Sequence, residues 1–235
     1  PPADFTVGLL TPTGGNQVDG IWNLTNTGMD IIIPVANDTT LKNGTVQLYG
    51  KVGSNSFEIL GSISTILSNE INANKIISVS GTLIEGLIGF SEGQRIYIKA
   101  AMNDRPGNIT EGSQSIIEIL IDETPASITP ISILSSNNNT ALAKVGDTVS
   151  VSFTTSENLI DTAATISGQN AIITSLSGNQ FVAVYVMDES DSEGVIEFEI
   201  SFIDAQGNPL NGNNSTTDAS QVVFELSTNS FNSFR

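Results

Sequence analysis

Short runs in which apolar and polar residues alternate recur along the whole 235-residue chain, separated by clusters of Gly, Asn, Asp, Ser and Pro. Alternation of period two puts every second side chain on one face of a pleated backbone, so each run predicts a strand with one buried face. In the first half the pattern predicts strands at 5–10, 29–35, 45–52, 57–62, 75–83, 95–102 and 115–121. In the second half it predicts them at 128–134, 148–155, 163–167, 171–175, 180–187, 195–203 and 220–226. Gly53-Ser54-Asn55-Ser56 reads as a hairpin turn between two of them. No window carries the 3.6-residue period of a long amphipathic helix; 83–92 and 188–193 have room for a single turn. About seven short strands per ~100 residues is the signature of an immunoglobulin-like sandwich. The expected fold is therefore all-β: two tandem immunoglobulin-like β-sandwich domains of about seven strands each.

The two halves repeat. A Glu-Gly turn, an alternating strand and Asp104-x-x-Gly107-Asn108 in the first half recur as a Glu-Gly turn, a strand and Asp204-x-x-Gly207-Asn208 in the second. The offset is one domain length. Pro125, after Asp122-Glu123-Thr124, interrupts the preceding strand pattern, because proline lacks a ladder donor and restricts the residue before it. The expected division is 1–121, 122–226 and a C-terminal tail, 227–235. The chain opens on Pro1-Pro2 and reads as a mature or excised segment.

Several short motifs, in this order, resemble tandem bacterial Ig-like repeats of large cell-surface proteins and adhesins. They are the Asp-x-Thr-Pro linker, Lys144-Val145-Gly146-Asp147-Thr148-Val149 entering a strand, Ser156-Glu157 after it, and the closing Asp-x-x-Gly-Asn. Trp22-Asn23-Leu24-Thr25-Asn26-Thr27-Gly28 and Asn43-Gly44-Thr45-Val46-Gln47-Leu48 resemble a second repeat type from the same proteins. The resemblance covers nearly the whole chain. It implies an extracellular, cell-surface location and a structural role.

Charge narrows the partners. Eight basic residues face 25 acidic ones, for a net charge of −17. Nucleic acid and anionic membranes are poor partners for such a chain, since both need clustered basic charge. The acid is uneven: six basic residues face eleven acidic over 1–121, and two face fourteen over 122–235. There is no Cys and no His, which removes thiol nucleophiles, His-dependent triads and Cys/His zinc sites. No apolar run approaches the ~20 residues a membrane helix needs.

The candidate chemistry is calcium, a hard cation that wants several converging oxygens. In an Ig sandwich the incoming chain, the B–C loop and the F–G loop meet at one end. For the second domain these supply Asp122, Glu123, Glu157, Asp204 and Asn208, with Gly207 giving the positive φ that aims Asn208. The equivalent first-domain set is Asp38, Asp104 and Asn108. The alternative is that Asp-x-x-Gly-Asn is only a turn whose polar side chains satisfy backbone donors. The resemblance implies junction Ca2+ that stiffens a rod. Asp188-Glu189-Ser190-Asp191-Ser192-Glu193-Gly194 departs from EF-hand spacing and reads as a solvated loop or capped turn.

Paired carboxylates hydrolyse glycosides in aromatic-lined clefts, but aromatics are 6% of this chain and its one Trp, Trp22, reads as core. No phosphate loop, Gly-x-Ser-x-Gly elbow or Ser-x-x-Lys set stands in a supporting context. The chain is not expected to be an enzyme. Sequons at Asn23, Asn37, Asn43, Asn108, Asn138, Asn213 and Asn214 only slightly exceed chance. The expected function is a calcium-stiffened spacer in a surface protein or adhesin, its partners neighbouring Ig-like domains. One alternative is a self-assembling subunit of a surface layer or filament, partnered by copies of itself. Another is a module binding surface glycans or proteins.

Overall fold

The structure is a computed structural model, described over residues 1–226; the tail at 227–235 lies outside the described residues. The chain forms two compact units. The first is Pro1–Thr124 together with Gln206–Asn208; the second runs Pro125–Ala205 and resumes at Pro209.

Nine strands build the first unit: β1 Leu10–Thr13, β2 Ile21–Trp22, β3 Gly28–Val35, β4 Thr45–Val52, β5 Glu58–Thr65, β6 Ala73–Ser80, β7 Arg95–Asn103, β8 Ile109–Glu111 and β9 Ile119–Ile121. One sheet has the order β1-β3-β6; the other runs β2-β9-β7-β4-β5, with β8 added to β7. Alternation does what it predicts. On β4, Val46, Leu48 and Val52 point inward, and on β7, Ile96, Ile98, Ala100 and Met102 do the same. They meet Met29, Ile31 and Ile33 of β3 in a core that is aliphatic apart from Trp22. Each of the Val, Leu, Ile and Met side chains, once buried, stabilises by about 1.5–3 kcal/mol. A short helix, α1 Gly81–Glu85, covers one margin with Ile84.

Among the described residues, eleven strands build the second unit: β10 Ile128–Ser135, β11 Leu142–Ala143, β12 Thr148–Thr155, β13 Leu159–Ile166, β14 Gln169–Asn170, β15 Ile172–Ser175, β16 Gln180–Val186, β17 Gly194–Val195, β18 Phe198–Asp204, β19 Pro209–Asn213 and β20 Val223–Phe224. Sheets β10-β12-β16-β15 and β14-β13-β18-β19 share one core, beside a small sheet β11-β20-β17. This core is aromatic: Phe153, Phe181, Phe198, Phe202 and Phe224 are buried in it, and Phe153 stacks on Phe181 at 5.3 Å. Both units are immunoglobulin-like β-sandwiches.

Two expected strands differ for visible reasons. Over 5–10 only Thr6 bridges, to Ser113, and regular pairing starts at Leu10. Gly8 lies so close to Ile32 that a Cβ there would come within 3.1 Å of its carbonyl oxygen, and its N–H donates to that oxygen instead. The expected strand at 195–203 is split, because the chain changes sheets at Ile196, whose N–H donates to Val222 O. Of the two expected single turns, one is α1, starting two residues early. At the other, Asp188 and Asp191 cap a turn, with Asp191 Oδ2 accepting from Asp188 N at 2.7 Å.

Candidate functional site

The eight residues expected to bind calcium are distributed over both units. Asp38, Asp104, Asn108, Asp122, Glu123 and Asn208 belong to the first, and Glu157 and Asp204 to the second.

Asp104 and Asn108 close on each other. Asp104 Oδ1 accepts from Asn108 N at 2.7 Å and its Oδ2 from Asn108 Nδ2 at 2.9 Å. Gly107, at φ +99°, turns the chain so that this ring can form. Hydrogen bonds from Asn108 hold the Asp104 carboxyl below its ordinary value. Asp38 caps a 3-10 turn, Thr39–Leu41, through bonds from Thr40 N at 2.8 Å and Thr40 Oγ1 at 2.7 Å. Those same bonds lower its pKa.

The second copy of the motif is wired differently. Gly207 has φ +93°, as the aiming argument requires, and Asn208 is fully buried. Its Oδ1 accepts from Leu24 N at 2.9 Å, and its Nδ2 donates to Asp122 O at 3.0 Å and Asp122 Oδ1 at 2.9 Å. The same turn is gripped by Asn23, whose Nδ2 donates to Gln206 O at 2.8 Å and Asn16 O at 2.6 Å. Asn16 Nδ2 donates to Gly207 O at 2.9 Å. Asn26 and Thr25 complete the network: Asn26 Oδ1 accepts from Asn23 N at 2.8 Å, and Asn23 Oδ1 from Thr25 Oγ1 at 2.7 Å. A buried amide carries two donors and an acceptor, so unmade bonds here would each cost about 1–3 kcal/mol.

Glu123 Oε1 accepts from Trp22 Nε1 at 3.2 Å, and its own N–H donates to Glu92 Oε2 at 2.8 Å. Burial, ahead of the opposing Trp22 bond, pushes the Glu123 carboxyl up. Trp22 is fully buried, edge-on to Phe90 at 6.4 Å, which leaves no ring face for a sugar. In the second unit Asp204 is also fully buried, and its Oδ2 accepts from Ala126 N at 3.0 Å.

The structure thus brings Asp122 together with Asn208, and Asp104 with Asn108, as hydrogen-bonded pairs. Among the described residues no group of three or more Asp, Glu, His or Cys side chains is placed to hold a metal ion. As placed, the donor set fits amide hydrogen bonding. Sequence reasoning missed Asn16, Asn23 and Asn26, although Asn23-Leu24-Thr25-Asn26 lies inside a motif it had singled out. The signal was there as a sequon, but one whose Asn is wholly buried.

Both units have the immunoglobulin-like β-sandwich fold. No protein-family model matches the chain, and no curated protein matches it by sequence. Among solved structures, a Ca2+-stabilised adhesin that helps an Antarctic bacterium reach out and bind ice is similar at 14% identity and TM-score 0.57. That match covers 96% of this chain and 50% of the other. A 1.5-MDa bacterial ice-binding adhesin is similar at 12% identity and TM-score 0.49, over 94% of this chain and 63% of the other. Fibronectin(III)-like modules of Clostridium thermocellum CbhA match at 11% identity and TM-score 0.37, over 96% and 92%. The chain spans less than two thirds of either adhesin chain. At these identities the likeness is one of fold. Among the described residues no helix is long and apolar enough to cross a membrane.

Proposed function

We propose that the chain is a repeat segment of a large extracellular, adhesin-like surface protein, and that its work is to space and bear load rather than to catalyse. The observation that carries this reading is the tandem of two Ig-like sandwiches, each with its own complete core. The fold likeness to a Ca2+-stabilised adhesin supports it, as does the order of linker and turn motifs along the chain. Stretching single molecules of the full chain tests the reading. Two discrete unfolding events are expected, each releasing roughly 3.5 Å per residue of its unit. A chain that yields gradually, without discrete events, is no load-bearing spacer.

Calcium is the finer part of the reading. An ion at Asp122 and Asn208, or at Asp104 and Asn108, would have to replace bonds that these pairs already make. The excess acid, in contrast, is relieved by any divalent cation through screening. The expected result is that Ca2+ and Mg2+ at equal concentration raise the melting temperature equally. A rise specific to Ca2+, abolished by Asp122→Ala, would instead establish the cage.

A further inference from the structure

Asparagine followed by glycine occurs twice in the chain, at Asn43-Gly44 and Asn211-Gly212. The pair carries its own chemistry. Glycine has no side chain to shield its backbone nitrogen, which can attack the preceding asparagine at the side-chain carbonyl carbon, Cγ. A five-membered succinimide closes as the N–Cγ bond forms, the Cγ–Nδ2 bond breaks and ammonia leaves. Water then opens the ring at either carbonyl, giving aspartate or isoaspartate. Two conditions set the rate in a folded chain. The glycine N–H must be able to lose its proton, and its peptide plane must be free to turn towards Cγ.

Both asparagines are exposed, so the glycines separate the two sites. Gly44 is buried, and its N–H donates to Leu41 O at 2.8 Å. Its carbonyl accepts from Ile66 N at 2.8 Å, while Asn43 N donates to Ile66 O at 3.0 Å. A Cβ on Gly44 would run into Asn103 O, so the backbone here is also closely packed. Ring closure at Asn43 has to break these bonds and bring water to a sealed N–H. Gly212 is the opposite case. It is exposed, at φ +70°, in β19, the last strand of its sheet. The register with β18 steps from Phe202↔Leu210 to Ile200↔Asn213, which leaves Asn211 and Gly212 in a bulge. Among the described residues, a Cβ on Gly212 would meet nothing nearer than Glu199 Oε1, at 3.8 Å.

We propose that Asn211 is a self-modifying site, the asparagine of the folded chain that deamidates first, and that the fold protects Asn43 from the same reaction. The proposal goes beyond the spacer reading and does not depend on it. Its product puts a new carboxylate beside Gly212, which Glu199 already flanks. Isoaspartate also adds a carbon to the backbone of β19 and so moves Asn213 off its partner Ile200. The test is incubation of the full chain in mildly alkaline buffer, native and in urea, then cleavage after glutamate and tandem mass spectrometry. Asn43 then lies on peptide 1–58 and Asn211 on 200–225. The readout is the mass gain of amide-to-acid conversion, which excludes Asp19-Gly20, since an aspartate isomerises without one. In the native chain Asn211 should convert at least roughly tenfold faster than Asn43, the difference between an open and a protected backbone amide. In urea, where the two dipeptides are equivalent, the rates should converge. Asn211→Gln, which would have to close a larger ring, should abolish the acidic band that the ageing parent develops in isoelectric focusing. The proposal is overturned if Asn43 keeps pace in the native chain, if another asparagine converts ahead of Asn211, or if Asn211 converts only in urea. An acidic band that persists in Asn211→Gln overturns it as well.

Discussion

Asp104-x-x-Gly107-Asn108 and Asp204-x-x-Gly207-Asn208 share three residues, one of them a positive-φ glycine, yet they are bonded in opposite senses. The first closes on itself, Asn108 donating twice to Asp104. In the second, Asp204 takes Ala126 N while Asn208 reaches Leu24 and Asp122. The motif dictates a turn; burial decides the partners. Asn108 is exposed and finds its nearest acceptor, whereas Asn208 is excluded from water and must satisfy all its groups on surrounding chain.

The glycines should separate the two turns most sharply. A Cβ at Gly207 would collide with Asn23 Nδ2 and press on Asn16 O, besides straining a positive φ. Gly207→Ala is expected to cost about 3 kcal/mol. At Gly107 nothing lies within 4 Å of the added carbon, so Gly107→Ala should cost only the backbone strain, about 1 kcal/mol. Equal losses in denaturant melts would remove the distinction. Next comes Asn208→Ala, which strands the Leu24 N–H and removes both bonds to Asp122, for a loss of about 2 kcal/mol. Asn108→Ala, at an exposed site, should lose about 0.5 kcal/mol.

Acid adds a third turn to the comparison. Asp147 Oδ2 accepts from Lys144 N at 2.9 Å and Asn137 Nδ2 at 2.8 Å, and Lys144 Nζ lies 3.0 Å from Oδ1. With the Asn137 bond as the leading cause, its pKa falls from 3.8 to about 2. Between those two values the unfolded chain takes up the proton before the folded one does. The stabilisation is therefore full above the unfolded value and drains away as pH falls toward about 2. Asp147→Asn should flatten this limb of the stability profile. An unaltered profile would mean that the carboxylate is not held as its bonds indicate.

The sandwich fold was legible because alternation over β4, β7, β12 and β16 is strong and each strand pairs along most of its length. Strands such as β8, β19 and β20 were not, or only partly, since two to five residues carry too little pattern and their pairing is set by neighbours. Gly207 was legible as a positive-φ position. The asparagines were not. An amide is equally at home on a surface turn and in a sealed network, and only tertiary packing tells Asn23 from Asn137.

The first unit includes Gln206–Asn208, about eighty residues beyond the rest of its chain. During synthesis, the sandwich that emerges first has its whole apolar core, but a few of its polar bonds stay unmade until most of its successor has been made. Leu24 N–H waits in water for the Asn208 oxygen, which arrives late. A fragment ending at Thr124 would carry that unfinished state permanently, and so would measure the stability of an intermediate of biosynthesis rather than that of the native unit.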